Sequence, residues 1–244
     1  MTIINQRFPE HSPVAPQRGL VDEAMKAIKD HIRDNRLVAG DALPSENAFV
    51  EALGVSRPVV REAFRSLSAL NLLDVGNGRR ARVSHIDASV LGLVLDHAVH
   101  TDQISVQQIY DVRRTIEIRT VALAAVRRTS REAEAIAAHA NTMRANFSDP
   151  PTVMVHDIAF HEAVAQASRN PLFALIVSSF SVVTRQTWSI SWVSRPTDAV
   201  RMESIASHEA IARAIKEGDP RAATDAMAQH FDQSVQALII AGIN

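Results

Sequence analysis

The chain has 244 residues, a formal net charge of −1 and no cysteine, which excludes disulfides and thiolate metal sites and is compatible with a reducing cytoplasm. Hydrophobic residues make up 46% of the sequence, and the length suffices for two domains that each bury a core. The sequence contains no apolar run long enough to cross a bilayer and no apolar core of a signal peptide. We therefore expect a cytoplasmic protein with no membrane partner.

The charge is divided unevenly along the chain. Residues 1–86 contain 12 basic and 10 acidic residues, whereas residues 87–244 contain 14 basic and 17 acidic residues. Six arginines lie within residues 56–82 against two acidic residues. This local positive charge favours a small surface that contacts an anionic polymer such as DNA, with an affinity that falls as salt rises.

The N-terminal part is predicted to contain an arm and one supporting helix. Residues 1–17 contain three prolines and no helical period, which predicts a flexible arm. Residues 20–37 are predicted to form a helix that packs behind the next segment. Its buried face is predicted from the spacing of Leu20, Ala24, Ile28 and Ile32.

Residues 43–83 are predicted to form two short helices joined by a tight turn, followed by a two-stranded wing. Ser45 is expected to cap the first helix, and Gly54 to end it in the left-handed conformation. Ser56 is expected to cap the second helix, with Pro58 in its first turn, where a missing N–H costs nothing. The buried face of the second helix is predicted to consist of Val60, Ala63, Phe64, Leu67 and Leu70.

Three arginines at four-residue spacing, Arg57, Arg61 and Arg65, share the outward face of the second helix. Such a helix fits the major groove, where arginine binds phosphate or the O6 and N7 atoms of guanine. A solvated basic helix in an ordinary helical protein has similar spacing. The ordered combination of caps, turn, helix and wing nevertheless indicates a winged helix-turn-helix that binds double-stranded DNA.

The wing is predicted from two strands, residues 72–75 and 81–83, around the sequence GNG at 76–78, which suits positive φ. Arginines follow this turn, and we expect them to reach neighbouring phosphates or the minor groove. These residues are Arg79, Arg80 and Arg82.

After a polar linker at residues 84–88, the sequence predicts one helix after another. The predicted spans are 88–98, 105–127, 131–146, 152–168, 170–187, 198–217 and 219–241, and each break carries a capping residue or a proline. The chain is thus predicted to be mainly α. A winged helix-turn-helix over residues 18–84 is followed by an all-helical antiparallel bundle over residues 85–244.

A carboxylate and three imidazoles on the predicted helices are candidate metal ligands. Asp157 and His161 lie one helical turn apart on one face, and His208 and His230 lie on two later helices. This set suits a divalent transition ion, zinc above all, with nickel or manganese as alternatives. Each residue also has an ordinary structural interpretation, because an Asp/His pair at this spacing is common on surfaces and a single buried histidine is commonly a hydrogen-bonded core residue.

The N-terminal segment resembles the winged helix of the GntR family of bacterial transcription regulators. The matching residues are Leu43-Pro44-Ser45-Glu46, Val55-Ser56-Arg57, Arg61-Glu62-Ala63, Leu67, Leu70, Leu72-Leu73 and Gly76-Asn77-Gly78. The resemblance implies that Arg57 and Arg61 contact DNA and that Gly78 approaches the minor groove. The full set of predicted DNA-binding residues is Ser45, Asn47, Ser56, Arg57, Pro58, Arg61, Asn77, Gly78 and Arg79.

Two positions depart from the family pattern. Asn47 stands where many relatives have an arginine that touches DNA. The wing runs Arg79-Arg80-Ala81-Arg82 where relatives often have a threonine and an aromatic residue. The base preference of relatives therefore does not carry over to this chain.

Residues 88–241 resemble the all-helical FCD domain of FadR-type members of the family. The matching residues are Asp111-Val112-Arg113, Glu117, Asp157-Ile158-Ala159-Phe160-His161, Asn170-Pro171, His208 and His230. In metal-binding members, the residues that align with Asp157, His161, His208 and His230 hold the ion. The fatty-acyl-responsive branch lacks this set, so a fatty-acyl ligand is disfavoured.

Three residues are predicted to bind an effector. Arg113 is placed to hold a carboxylate with two parallel hydrogen bonds, or alternatively to pair with Glu117 one turn along. Asn170 and Arg185 are further candidates, with helix capping as the alternative role of Asn170 and a solvent-facing position as that of Arg185.

Taken together, these features predict a homodimeric regulator, commonly a repressor in such families, that binds a palindromic operator and responds to a small organic or sugar acid. Two alternatives remain open at this point. One is a metal-dependent hydrolase or lyase with a DNA-binding appendage, and the other is a DNA-binding protein with a purely structural ion.

Overall fold

A computed structural model describes residues 15–76 and 78–242, with side chains from residue 19 onward. The chain divides into two compact units between residues 87 and 88. The described residues form eleven helices and one two-stranded sheet, in accordance with the mainly helical fold predicted from the sequence.

The N-terminal unit is a winged helix-turn-helix. It consists of α1 (Ala15–Asp34), α2 (Glu46–Leu53), α3 (Arg57–Ala69), β1 (Leu73–Asp74) and β2 (Arg82–Val83). The strands are antiparallel, with Leu73 opposite Val83. One hydrophobic core joins the helices to the wing, and its most deeply buried members include Ile28, Leu43, Val60, Phe64, Leu67 and Leu73.

The predicted caps of α2 and α3 are present at two of three positions. The Ser45 hydroxyl accepts a hydrogen bond from the N–H of Ala48 at 3.2 Å, and Gly54 ends α2 with φ 64°. Ser56 occupies the N-cap position of α3, but its side chain makes no capping bond. Pro58 has no N–H, and the N–H of Val59 already donates to the main-chain oxygen of Ser56 at 3.1 Å. The hydroxyl of Ser56 therefore has no donor left to bind.

Several boundaries in this unit differ from the prediction. Helix α1 begins at Ala15, so the end of the predicted arm is helical, and residues 1–14 of that arm lie outside the described residues. Leu20 and Leu70 were expected on buried faces but are 39% and 48% exposed. Helix α3 ends at Ala69, which removes Leu70 from the helical face, and Leu20 lies one turn before Ala24, the first fully buried position described on α1.

The C-terminal unit is an antiparallel helical bundle. Its helices are α4 (Ser89–His100), α5 (Val106–Arg127), α6 (Ser130–Ala145), α7 (Pro150–Ala167), α8 (Pro171–Ser179), α9 (Ser181–Ser194), α10 (Asp198–Glu217) and α11 (Pro220–Ile240). Helix α11 packs against α5, α9 and α10, and α7 packs against α5 and α6. A continuous apolar core, with Ile136, Phe160 and Ile211 at its centre, fixes the spacing of these helices.

Local signals set most helix ends in this unit. Capping boxes begin α5 and α6, and prolines lie in the first turns of α7, α8 and α11. The predicted helix over 170–187 is wrong in one respect, because the chain breaks at Phe180 and α9 continues to Ser194. The break contains neither glycine nor proline. The Ser179 hydroxyl instead donates to the main-chain oxygen of Ile176 at 2.6 Å, a local bond that competes with regular helix.

Within residues 15–76 and 78–242, no helix combines the length and the apolar character that a membrane span requires.

Two glycines of the N-terminal unit predict opposite responses to alanine. Gly54 has φ 64° with open space around it, whereas Gly19 lies within α1, also in open space. We expect Gly54→Ala to lower the free energy of unfolding by about 1 kcal/mol, because the left-handed conformation is strained for alanine. Gly19→Ala should raise it by up to about 1 kcal/mol. Urea unfolding monitored by circular dichroism measures both, and changes of the same sign would contradict this account of the turn.

Candidate functional site

A groove on the N-terminal unit collects most of the predicted DNA-binding residues. It lies between the start of α2, the outer face of α3 and the wing. Five of the nine predicted residues line it, namely Ser45, Asn47, Arg61, Gly78 and Arg79. Arg65 and Arg80 line it as well. The structure thus places exposed cations on two sides of one concave surface, a form suited to a phosphate backbone.

The remaining predicted residues lie beside this groove. Ser56, Arg57 and Pro58 are exposed at the N-terminus of α3, the end of a recognition helix that contacts base edges in helix-turn-helix proteins. Asn77 lies outside the described residues.

Two of the three wing arginines form hydrogen bonds to other groups of the N-terminal unit. Nη2 of Arg79 donates to both carboxylate oxygens of Asp74, at 2.7 and 2.9 Å. Nη1 of Arg82 donates to the main-chain oxygen of Gly40 at 2.5 Å. The wing turn brings Arg79 back to Asp74, and the backbone bridge between Ala42 and Arg82 brings Arg82 beside Gly40.

Three histidines converge in the interior of the C-terminal unit. His161 is on α7, His208 on α10 and His230 on α11, and all three are buried. One ring nitrogen of each histidine lies within 4.8 Å of a ring nitrogen of both other histidines. Oδ1 of Asp157 is 2.7 Å from Nε2 of His208. The four predicted metal ligands therefore lie at one place in the bundle.

Hydrogen bonds fix which nitrogen of each ring carries a proton. Nδ1 of His161 bonds to the Glu117 carboxylate, and Nδ1 of His208 lies 2.8 Å from the main-chain oxygen of Ser204. Both partners are acceptors, so each Nδ1 donates. Nδ1 of His230 lies 3.0 Å from the Ser207 hydroxyl, which already donates to Ser204 and therefore accepts here. Each Nε2 is then left with a lone pair for the interior of the site.

The contact between Asp157 and His208 requires a positive charge. Nε2 of His208 is buried and makes no hydrogen bond to any described residue, although the carboxylate is close. Burial acts to raise the pKa of Asp157, but the adjacent His208, together with His161 and His230, outweighs burial and holds this pKa well below its usual range. The ionised carboxylate thus favours a cation at this point, and a divalent transition ion meets that requirement with nitrogen and oxygen ligands.

Arg113 makes the ion pair with Glu117, one of the two alternative roles that the sequence left open. Its Nε lies 3.0 Å from Oε1 of Glu117, and its Nη1 donates to the Thr184 hydroxyl at 2.8 Å. Its side chain also lines the cavity beside the histidines. Burial acts to raise the pKa of Glu117, but His161 and Arg113 outweigh burial and hold this pKa below its usual value. The carboxylate therefore stays ionised in the core.

The two other predicted effector residues do not line this cavity. The side chain of Asn170 accepts a hydrogen bond from the N–H of Leu172 at 3.1 Å and caps α8. Arg185 is exposed on α9. The structure instead brings Arg195 to the cavity, buried at the end of α9. This residue was missed because the predicted helix stopped at residue 187. With α9 extended, Arg195 follows Trp188, Ser191 and Trp192 at helical spacing.

The comparisons with known proteins agree with both units. Residues 20–83 match the bacterial regulatory proteins of the gntR family, and residues 108–233 match the FCD domain. The HTH-type transcriptional regulator LutR of Bacillus subtilis (strain 168) is 32% identical over 204 residues, which cover 82% of this chain and 92% of LutR. The galactonate operon transcriptional repressor of Escherichia coli (strain K12) is 29% identical over 223 residues, 89% of this chain and 96% of the repressor.

A solved structure also matches across both units. The Streptococcus agalactiae GntR protein superposes with a TM-score of 0.63 at 26% identity, covering 87% of this chain and 97% of that protein. The fold, the cationic groove of the N-terminal unit and the matches to known regulators together define a DNA-binding transcription regulator. This class of protein replaces the alternative of a hydrolase or lyase. The chain belongs to the GntR family, in its FadR-type subfamily with an FCD domain.

The buried state of His230 predicts how stability depends on pH in metal-free protein. Burial, together with charge on His208 and His161, holds the pKa of His230 well below its usual range. In the unfolded chain, His230 takes up a proton near pH 6.5, whereas in the folded chain it stays unprotonated at that pH. The associated stability is therefore present above pH 6.5 and is lost as pH falls below it, by up to about 1.4 kcal/mol per pH unit.

Thermal unfolding of EDTA-treated protein between about pH 7.5 and 5.5 measures this loss. We expect His230→Asn to flatten the dependence, whereas His97→Asn, at an exposed position on α4, should leave it unchanged. Equal slopes for the parent protein and His230→Asn would contradict the assignment.

Proposed function

We propose that this protein is a homodimeric repressor whose affinity for a palindromic operator is controlled by a small carboxylate bound beside a divalent transition ion. The observation that carries the proposal is the convergence of His161, His208 and His230 within 4.8 Å, beside the ionised carboxylate of Asp157. In this proposal, residues 1–17 form an arm and residues 18–84 form the DNA-binding domain. Residues 85–244 bind the effector and form the dimer.

The ion would be held by Asp157, His161, His208 and His230, with zinc as the first choice and nickel or manganese as alternatives. Bound there, it supplies a fixed positive charge that attracts and orients an acid. The chain's own residues prepare the site, because Glu117, Ser204 and Ser207 hold the three rings with Nε2 unprotonated.

The charge of the cavity favours an anionic ligand. Arg113 and Glu117 neutralise each other at 3.0 Å, and Arg195 offsets the charge of Asp157. A divalent cation would therefore leave the cavity with a net positive charge, which an acid would neutralise. One relative is named for the galactonate operon, and galactonate is a sugar acid.

The cavity is small, and its size favours a short acid or one end of a longer acid. It measures about 30 Å³, on a scale where one water needs roughly 10–15 Å³. A carboxylate fits beside the ion within this space, whereas a bulky ligand would require a second compartment.

Linkage connects this site to the operator. The two recognition helices of a dimer must match two half-sites on the duplex. An acid that binds more tightly to a dimer with the wrong half-site spacing weakens DNA binding by the same factor. Helix α4 leaves Leu93 and Val94 more than half exposed, an apolar surface that a second copy would cover.

Operator binding tests the DNA-binding residues. Arg61 lines the groove and is exposed on α3, so Arg61→Ala should weaken operator binding by about tenfold or more. Arg131→Ala removes the same charge from an exposed position on α6 and should change affinity little. Fluorescence anisotropy with operator DNA across several salt concentrations measures both, and equal effects of the two substitutions would refute the assigned recognition helix.

Metal content and DNA release test the sensor. Protein purified without chelator should contain about one transition ion per chain, and His208→Ala/His230→Ala should contain none. Acids that release operator DNA from the parent protein should have no effect on the double variant. His85→Ala/His97→Ala removes two exposed histidines as a control. If the ion raises the melting temperature but no acid changes DNA affinity, the ion is structural and the sensor proposal fails.

A further inference from the structure

One arginine of the wing, Arg79, folds back across the turn that joins β1 to β2. Its side chain lies against Gly76, because a Cβ placed on that glycine would lie only 2.2 Å from Nε of Arg79. The missing side chain of Gly76 therefore leaves the room that the guanidinium occupies. Arg79 also lines the groove of the N-terminal unit. Its charged end is thus held on the wing, at the surface assigned to DNA.

A carboxylate on β1 holds this guanidinium in place. Nη2 of Arg79 donates to both carboxylate oxygens of Asp74, at 2.7 and 2.9 Å. About half of each side chain is exposed, 51% for Arg79 and 50% for Asp74. An exposed ion pair of this kind contributes little to stability, since water solvates both charges well. The pair can therefore open without unfolding the wing.

This ion pair distinguishes Arg79 from the other arginines of the groove. Within the described part of the chain, it is the one arginine lining the groove that pairs with a carboxylate. Arg82, the other wing arginine with a partner, donates to the neutral main-chain oxygen of Gly40 and so keeps its full charge. The pair with Asp74 therefore removes one positive charge from the groove of the free protein.

A DNA phosphate and the Asp74 carboxylate offer Arg79 the same kind of acceptor, since a guanidinium binds both anions through charged oxygens. When Arg79 turns to a phosphate, its bonds to Asp74 break, and the freed carboxylate repels the same phosphate. Both effects oppose DNA binding. Phosphates carry no sequence information, so this opposition applies to every duplex.

We propose that Asp74 competes with DNA phosphate for Arg79 and thereby limits the affinity of the wing for any duplex. The ion pair of the free protein must break before Arg79 binds a phosphate. This inference rests on DNA binding by the groove, and it requires neither an ion nor an acid in the C-terminal unit. Its failure therefore leaves effector control of the repressor intact.

Asp74→Asn tests the competition, because it removes the charge of the carboxylate and keeps the shape of the side chain. Two labelled duplexes serve as probes, one of mixed sequence and one that the parent protein selects from a random library. Fluorescence anisotropy of the full-length protein, without added acid, gives the affinity over a series of salt concentrations. Asp22→Asn makes the same charge change at an exposed position on α1 outside the groove, and it serves as the control.

We expect Asp74→Asn to bind both duplexes about fivefold more tightly than the parent protein, with the same factor for each, because a phosphate contact is independent of sequence. The slope of log affinity against log salt should steepen by up to about 0.9, the value for one additional neutralised phosphate. Asp22→Asn should change either affinity by less than about twofold, because salt screens charges that lie away from the contact.

Arg79→Gln separates competition for the guanidinium from simple repulsion of DNA by Asp74. Without the guanidinium, Asp74→Asn removes the repulsion alone. Its gain in affinity should therefore fall from about fivefold in the parent protein to about twofold or less in Arg79→Gln. Circular dichroism of each variant should match the parent protein, since both side chains lie on the surface.

Other outcomes would overturn the inference. Weaker DNA binding by Asp74→Asn means that Asp74 positions Arg79 for DNA instead of competing for it. A gain on the selected duplex alone indicates that Arg79 reads bases instead of phosphate. An equal gain with and without Arg79, or no gain at all, leaves the ion pair without a role. If the parent protein binds neither duplex, DNA binding by the groove is itself wrong, and the inference falls with it.

Discussion

The orientation of three buried imidazoles is the constraint on which the C-terminal unit depends. Each ring directs Nδ1 to an acceptor, and these acceptors belong to α5 for His161 and to α10 for the other two rings. A buried ring nitrogen without such a partner would carry a large desolvation cost. These bonds therefore tie α5 to α7 and α10 to α11, in addition to the apolar core around them.

Those polar contacts contribute less to stability than their number suggests. Buried ion pairs such as Arg113–Glu117 contribute little net stability, since desolvation offsets most of their attraction, and apolar replacements of similar volume are often as stable. The bundle nevertheless keeps two arginines, one carboxylate and three histidines around one cavity, with the buried carboxylate of Glu117 behind them. Under the proposed function, the contacts from Arg113 through Glu117 to His161 would connect an acid on Arg113 to an ion on His161.

The N-terminal unit divides its residues differently. Its core side chains are apolar, and its arginines lie on the surface of α3 and the wing, where they remain available to an external polyanion. Within the wing, Asp74 and Gly40 hold Arg79 and Arg82, and Arg79 stays exposed at the groove together with Arg61, Arg65 and Arg80. A modest local charge concentrated in this way suits a site-specific contact better than general attraction to DNA.

Local chemistry made much of this protein predictable from its sequence. Caps, prolines and glycines mark most helix ends through backbone geometry and missing N–H groups, so α10 and the turn at Gly54 were predicted correctly. The i, i+4 spacing of Asp157 and His161 likewise follows from helical geometry alone. Only the tertiary structure decided the rest. The burial of Arg195 and the meeting of His161 with His208 and His230 depend on how helices distant in sequence pack together, and no local pattern encodes that packing.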